Sequence, residues 1–334
     1  MISTCRPASR AWGWLLAAVL AGGFAAAAGP AAAQTAADHL ILSEVVTTVQ
    51  RVGARFIEIV NPTGADVPMG DVHLTNGTYR PNGAGYWRLV EPGATGDVAG
   101  GGVGGAFHGR FPDGYVLAAA DTLVVADGGS AAFEAAYGHL PDFEIYEDGA
   151  APDAVPELVE VFPGSINANV PAEGGNVVTL GPVTGSLVLY RWDGSSDLVA
   201  DLDYVHWGTN QAYRVDKTGV AYGAAAYLDD TPVAAQTPLP GSAGDGRSYM
   251  RASAEEGSEA TPGNGATGHD ETSEDLAATW SVVTPQAPAA PPAAWWPAQP
   301  IFTGAVIAPT SPREGVPTNV TVSIVSPTTI TTVD

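Results

Sequence analysis

Four aspartates lie close together in the sequence with the spacing of oxygen ligands. Asp193 and Asp197 bound the segment Asp-Gly-Ser-Ser-Asp, and Asp201 and Asp203 follow at an interval of two. Residues two apart on a strand face the same side, so Asp201 and Asp203 could bridge one cation. Carboxylate oxygens are the ligands that Ca²⁺ prefers. Calcium binding by this set is one hypothesis; the alternatives are a hairpin turn at 193–197 and simple solvation of the other pair.

A second acidic region, from Tyr137 to about Gly181, contains no known calcium motif. Neither an Asp-x-Asp-x-Asp-Gly loop nor a regular Gly-Asp repeat is present, although acids are frequent there: Asp142, Glu144, Glu147, Asp148, Asp153, Glu157 and Glu160. We interpret this region as a long insertion between strands.

Catalytic motifs are absent from the sequence. None of the six histidines stands in an HExxH or other helix-spaced metal pair, and there is no Gly-x-Ser-x-Gly elbow or Gly-Lys-Ser/Thr phosphate loop. Gly100, Gly102 and Gly105 match the dinucleotide pattern, but no strand precedes them and no helix follows, so we expect a flexible surface loop over residues 93–109. The sequence therefore predicts a non-catalytic chain without a cofactor.

Aromatic residues supply another binding chemistry. Trp87, Trp192 and Trp207 could form an exposed face on which a protein or glycan packs, with His206 beside Trp207 at the end of a strand. The alternative is an aromatic side chain packed on the sheet with a neighbouring surface histidine.

The charge of the chain opposes a nucleic-acid partner. It has 36 acidic residues against 13 Lys and Arg, a net charge of −23, and its one lysine is Lys217. Phosphate backbones are bound by clustered Lys and Arg, so direct nucleic-acid binding is not expected. We interpret the acidity as a solubility feature of an exported protein.

The N-terminus has the pattern of a secretory signal peptide. Arg6 and Arg10 precede the apolar run AWGWLLAAVLAGGFAAAA, and small residues precede Gln34. The arginines are not adjacent, which favours a Sec-type signal over residues 1–33; a membrane anchor is the alternative. Export predicts a secreted or cell-surface protein with no membrane span after cleavage. Cys5 would be removed, leaving no cysteine for a disulfide.

The elements that carry these residues are predicted to be strands. Residues 40–49 and 55–60 are rich in β-branched side chains, Asn61 to Gly64 breaks the chain, and residues 71–76 resume it, which indicates a β-meander. RFIEIV is apolar on both faces, which is typical of an inner strand. We interpret Glu58 as structural and Asn61 as an Asx-turn residue.

One helix is predicted in this strand-rich chain. It covers AAFEAAYG, residues 131–138, with Ser130 as its cap and Gly138 as its end.

The order of these segments resembles a lamin-tail domain. The residues that carry the resemblance are the Ser-Glu strand, the FIEIVNP segment and DVHLTN, followed by 111–128, the hairpin 185–208 and the strand GRSYMR at 246–251. The resemblance covers about residues 38–287 with long loop insertions. It implies an all-β, immunoglobulin-like β-sandwich over residues 34–286. The DNA binding associated with nuclear members is not carried over, given the charge.

The composition changes after this domain. Residues 287–300 are rich in Pro and Ala, which predicts a semi-rigid linker. Residues 301–334 read as two or three strands, too few to bury a core alone. They either add an edge to the first domain or begin a second immunoglobulin-like domain that is truncated, and we favour truncation.

Two functions follow from these observations. The first is a non-catalytic exported module for adhesion, surface or matrix attachment, or protein assembly. The second is an accessory domain of a larger extracellular hydrolase of nuclease or phosphatase type. The resemblance implies it, because lamin-tail-like domains accompany such enzymes.

Overall fold

A computed structural model describes most of the chain after residue 36. The described residues are 37–47, 55–79, 83–102, 106–146, 153–166 and 180–283, together with the backbone of 301–308 and 319–325. The predicted signal peptide 1–33 and linker 287–300 lie outside them.

The described chain is all-β with few and short helices, which confirms the predicted class. Its strands are β1 Ile41–Val45, β2 Phe56–Val60, β3 Val67–Pro68, β4 Val72–Thr75, β5 His108–Arg110, β6 Val116–Leu117, β7 Thr122–Ala126, β8 Phe143–Glu144, β9 Val159–Glu160, β10 Gly185–Arg191, β11 Ala200–Trp207, β12 Ala221–Tyr222, β13 Ala225–Ala226, β14 Ser248–Arg251, β15 Trp280–Val283, β16 Ile301–Ala308 and β17 Asn319–Val325. The α-helices are α1 Gly96–Ala99, α2 Ser130–Tyr137 and α3 Leu276–Thr279, and 3-10 turns cover Tyr86–Val90, Gln211–Tyr213 and Glu271–Ser273.

Two sheets share one hydrophobic layer. The first has six strands in the order β15-β14-β1-β2-β7-β8 and the second has five in the order β11-β10-β4-β5-β9. Ile57 and Leu123 of the first sheet belong to the same buried cluster as Leu74 and Leu189 of the second. Burial of this apolar surface is the main stabilising contribution to such a fold.

The predicted inner strand is confirmed. β2 pairs with β1 on one side and β7 on the other, and all five of its residues are buried. Ile57 and Ile59 face the shared layer, whereas Phe56 packs edge-on against Phe133 and Tyr137 of α2. Apolar faces on both sides are thus explained by the sheet partner and by a covering helix.

The predicted meander is wrong at its third strand. β4 pairs with β5 and β10 of the second sheet rather than with β2. The turn at Asn61 redirects the chain: its Oδ1 accepts a hydrogen bond from Thr63 N at 3.1 Å, which confirms the Asx turn. Its Nδ2 donates to three backbone carbonyls, of Ala65, Leu117 and Ala118.

The predicted helix is confirmed as α2, but its N-terminal cap is different. Ser130 is the first helical residue, and its hydroxyl binds Asp153 while its backbone amide donates to Glu144. Gly138 ends the helix with φ 81°, a left-handed conformation that glycine adopts without strain. Two acids of the second insertion therefore hold the helix start.

The glycine-rich segment is not simply an exposed loop. Within its described residues α1 precedes the glycines, and Gly100 is buried. A Cβ at Gly100 would lie 2.8 Å from the backbone of Gly77, so the two chain segments pass in close contact. Residues 103–105 lie outside the described part.

The predicted hairpin 185–208 is confirmed as β10 and β11, and it contains a bulge. Leu189 faces Asp203 while Tyr190 faces Asp201, so Leu202 is an extra residue on β11. Leu189 belongs to the layer between the sheets. Tyr190 belongs to a second buried cluster on the other face of this sheet, which we call the outer cluster. Because of the extra residue, Asp201 and Asp203 lie on opposite faces of the sheet, although residues two apart on a regular strand share a face.

The C-terminal segment forms an antiparallel pair, β16 with β17. The third strand predicted there, TTITTV, lies outside the described residues. Among the residues that are described, none belongs to a helix long and apolar enough to cross a membrane.

Candidate functional site

The aspartates of the β10–β11 turn hold the turn itself. Asp193 Oδ1 accepts hydrogen bonds from the amides of Ser195 and Ser196 at 2.8 and 2.7 Å. These bonds, first that from Ser196, hold the pKa of Asp193 well below its usual range. Asp197 is exposed at the end of the same turn. The hairpin-turn alternative therefore accounts for the positions of Asp193 and Asp197.

Asp201 is buried in an ion pair. Lys217 Nζ lies 2.5 Å from Asp201 Oδ2 and 3.2 Å from Asp230 Oδ2, and Tyr86 donates its hydroxyl to Asp201 Oδ1 at 2.7 Å. Burial raises the pKa of Asp201, against the lowering effect of Lys217. The lysine thus occupies the place that a cation would take.

Asp203 is neutralised by a different cation. Arg251 Nη2 lies 2.8 Å from both oxygens of Asp203, and Arg251 Nη1 lies 2.6 Å from Glu274. Since the bulge places Asp201 and Asp203 on opposite faces, they cannot bridge one ion. The bridging of one calcium ion by Asp201 and Asp203 is therefore contradicted, whereas calcium binding by Asp193 and Asp197 stays a prediction.

Three of the four residues expected on a binding face point inward. Trp87, His206 and Trp207 are between 1% and 5% exposed. Trp207 donates Nε1–H to the carbonyl of Gly181 at 2.6 Å, and Trp87 packs edge-on against Tyr86. These side chains cannot be offered to a partner on the surface of this fold.

His206 is buried because the chain after β11 folds back over it. Its ring stacks on Tyr204 at 5.1 Å, and the Tyr204 hydroxyl contacts Val215 and Gln236 of the returning segment. Burial, and secondarily the charge of Arg214, lowers the pKa of His206 to about 3. The imidazole is neutral at ordinary pH.

Trp192 is the binding-face candidate that remains half-exposed. It follows β10, rests on the outer cluster, and donates Nε1–H to the carbonyl of Ser196 at 2.9 Å. Its indole lines two adjoining surface cavities of about 460 and 520 Å³, and Asp193 lines the first while Asp197 lines the second. We call the two cavities together the Trp192 groove.

The floor and rim of the Trp192 groove carry planar polar groups. Asp71 pairs with Arg191 at 3.1 Å, and Arg110 pairs with Asp113 at 2.8 Å. Both acids and Arg110 line the first cavity. Exposed carboxylates and guanidinium groups of this kind donate and accept hydrogen bonds in pairs.

His73 forms the buried end of the same cavity. Its ring stacks on Tyr190 at 4.8 Å and lies 6.3 Å from the ring of Trp192. Burial lowers the pKa of His73 to about 4. A neutral imidazole therefore supports the tryptophan from behind.

A separate cluster brings together ionisable side chains from distant parts of the sequence. Ligand atoms of His39, Glu256 and Glu271 all lie within 4.8 Å of one another, and all three residues are buried. His39 Nε2 lies 3.1 Å from a carboxylate oxygen of Glu256. Among the described residues this is the set that could hold a metal ion.

The pKa values of several groups in this cluster are raised above their ordinary values. Burial alone would lower the pKa of His39, but its hydrogen bond to Glu256 and the charges nearby raise it to about 9. Burial and the surrounding carboxylates raise the pKa of Glu259 to about 9 and that of Glu271 well above its usual range. Several buried carboxyl groups thus lie close together, and their mutual repulsion favours the protonated form.

The sequence pattern did not reveal this cluster. His39 and Glu256 are 217 residues apart, and neither belongs to a motif with ligand spacing. Residues 269–275 contain a 3-10 turn, which Asp270 caps by accepting from the amide of Thr272. The signal in the sequence that could have indicated this cluster is the high density of acidic residues between positions 255 and 275.

Comparisons with known proteins leave the family open. No protein-family model matches the sequence, and no curated protein matches it. One solved structure similar to the chain is that of a DUF4876 family protein from Bacteroides thetaiotaomicron VPI-5482, with a TM-score of 0.38 and 15% identity, covering 77% of this chain and 75% of that one. A likeness this weak carries no argument about fold type or function.

Proposed function

We propose that this chain is a non-catalytic, exported module that attaches to neutral glycans at the cell exterior through the Trp192 groove. Its fold in this proposal is an immunoglobulin-like sandwich of the lamin-tail type. The shared hydrophobic layer between two sheets and the order of the sequence segments support that fold. The signal-peptide pattern of residues 1–33 supports export.

The observation that carries the proposal is the position of Trp192 between two cavities. An indole face buries the C–H surface of a sugar ring, and the flanking carboxylates and Arg110 can exchange paired hydrogen bonds with its hydroxyl groups. Cavities of 460 and 520 Å³ lie within the range of about 300–1,000 Å³ that small ligands occupy. Two adjoining cavities suit two or more linked sugar units.

The charge of the protein selects neutral sugars. A net charge of −23 repels sulfated and uronic-acid glycans over distances up to the screening length. Asp71, Asp113, Asp193 and Asp197 add to this repulsion at the groove itself.

The experiment is a glycan array followed by calorimetric titration of the best neutral oligosaccharide. Trp192→Ala should weaken binding at least tenfold, because the stacking surface is lost. Tyr79→Ala is the matched control, since Tyr79 is an exposed aromatic residue outside the groove.

Folded protein that binds no neutral glycan contradicts the proposal. So does unchanged affinity in Trp192→Ala. Capture of a protein ligand that competes at Trp192 would replace the glycan by a protein partner.

A further inference from the structure

The cluster of His39, Glu256, Glu259 and Glu271 lies away from the Trp192 groove and plays no part in the proposed function. His39 precedes β1, Glu256 and Glu259 lie in the loop after β14, and Glu271 begins the 3-10 turn before α3. We infer that the side chains of His39, Glu256 and Glu271, with Glu259 beside Glu271, form a binding site for a divalent transition metal of the Zn²⁺ type.

The spacing of the donor atoms fits one metal ion. Atoms bound tetrahedrally at about 2.1 Å from Zn²⁺ lie about 3.4 Å from one another. His39 Nε2 and Glu256 Oε2 are 3.1 Å apart, and the atoms of Glu271 complete a set within 4.8 Å. Small rotations of the side chains would bring these atoms onto a common centre.

The cation nearest to the cluster is already engaged with other carboxylates. Arg251, the nearby cation, already contacts Asp203 and Glu274. His39 lies 3.1 Å from Glu256, and the more exposed His269 lies 3.5 Å from Glu259. A divalent ion would take the place of the protons on these groups, because a metal is bound by carboxylates and a neutral imidazole and its binding releases protons.

Buried oxygens without a hydrogen-bond partner are a second, independent observation that points to a ligand. Within the described part of the chain, both carboxylate oxygens of Glu259 and Oε1 of Glu271 are buried without a hydrogen-bond partner. The side chain of Glu259 is 2% exposed and Glu271 is 3% exposed. Buried polar groups are nearly always paired, since leaving one unpaired costs about 1–3 kcal/mol.

The backbone holds these two glutamates side by side. An antiparallel bridge joins Ala260 to Asp270, so Glu259 and Glu271 are the next pair across the loop. A Cβ at Gly265 would clash with Glu271 Oε1, which shows how closely the loop wraps this carboxylate. The loop is built around the carboxyl groups and does not turn them toward solvent.

The orientation of His39 also suits a metal ligand. Its Nδ1 lies 3.2 Å from the carboxylate of Asp38, which can accept the Nδ1–H. That contact leaves Nε2 directed at Glu256 as the coordinating atom. Ligating histidines usually donate their other ring N–H to a carboxylate or carbonyl in this manner.

The mixed donor set decides which ion fits. Imidazole nitrogen suits Zn²⁺ and related transition metals, whereas Ca²⁺ is held by oxygen ligands. One histidine with carboxylates therefore favours Zn²⁺ over Ca²⁺.

The test is equilibrium dialysis of the chelator-treated full chain against Zn²⁺ or Ca²⁺, with bound metal measured by mass spectrometry. We expect one Zn²⁺ per chain and at least a tenfold loss of affinity in Glu271→Gln and in His39→Gln. Substitution with Co²⁺ should give d–d absorption bands that both variants lose. Glu134→Gln, an exposed carboxylate on α2, is the matched control and should bind as the parent does.

Circular dichroism and thermal unfolding establish that each variant is folded. Glu→Gln changes remove a buried like charge, so a folded Glu271→Gln is expected. The absence of Zn²⁺ from the folded parent overturns the inference. Binding that persists in both variants, or binding of Ca²⁺ alone, overturns it as well.

Discussion

Asp201 and Asp203 project from opposite faces of the same sheet, with Leu202 between them as the extra residue of a β-bulge. Asp201 meets Lys217 in the outer cluster, and Asp203 meets Arg251 on the inner side. Asp201 and Asp203 are thus paired with two different cations. The stability of β11 thus depends on two separate ion pairs.

Lys217→Met is expected to destabilise the protein strongly. It leaves Asp201 and Asp230 buried without their shared cation, a situation that costs about 3–5 kcal/mol. The free energy of unfolding from urea titration measures the loss. The double variant Lys217→Met/Asp201→Asn should recover part of it, because one uncompensated charge is removed. Equal stability of Lys217→Met and the parent would show that the pair contributes little.

Gly185→Ala should destabilise the start of the β10–β11 hairpin. A Cβ there would lie 2.6 Å from the ring of Trp207. Overpacking of this kind costs about 1–3 kcal/mol. Gly64→Ala is the control, since a Cβ at Gly64 meets nothing within 4 Å. Thermal unfolding of the two variants should differ accordingly, and similar midpoints would refute the packing argument.

Asn61→Ala should cost several times more than an ordinary turn substitution. Asn61 is buried, and its side chain bonds three carbonyls and the Thr63 amide. A partner that stays buried and unpaired, such as the carbonyl of the buried Leu117, adds about 1–3 kcal/mol. Asn210→Ala removes an exposed cap of a 3-10 turn and should lose only about 1 kcal/mol. Chemical denaturation compares them, and comparable losses would contradict the role given to Asn61.

Acid should destabilise the fold through the buried histidines whose pKa is lowered by burial, of which His206 is one. The pKa of His206 is about 3 when folded, below its ordinary value of 6.5, so the unfolded chain binds more protons between these values. The contribution is complete above pH 6.5 and declines as pH falls toward 3, by about 1.4 kcal/mol for each pH unit.

His206→Phe keeps the ring against Tyr204 and removes this proton uptake. Its free energy of unfolding should fall less steeply than that of the parent between pH 6.5 and 4. His139→Phe, at an exposed histidine, should keep the parent slope. Parallel curves for His206→Phe and the parent would refute the assignment.

Local signals in the sequence predicted local structure. β2, the turn at Asp193 and the end of α2 at Gly138 each follow from residues that are neighbours in the chain. The lamin-tail type of the sandwich, export, and the accessory-domain alternative stay predictions.

Features that depend on distant contacts were not predictable. The transfer of β4 to the other sheet and the bulge at Leu202 change pairing without any change in hydrophobic pattern. The burial of His206 depends on the returning segment near Gln236, and the cluster around His39 joins residues 217 positions apart. No spacing rule connects such residues.

The position of Lys217 has a consequence for chemical labelling. It is the only lysine in the chain, and its side chain is fully buried between carboxylates and tyrosine rings. Amine-reactive reagents and lysine-specific proteases therefore find no accessible lysine side chain while this domain is folded. The rate at which Lys217 is modified therefore reports how often the domain opens.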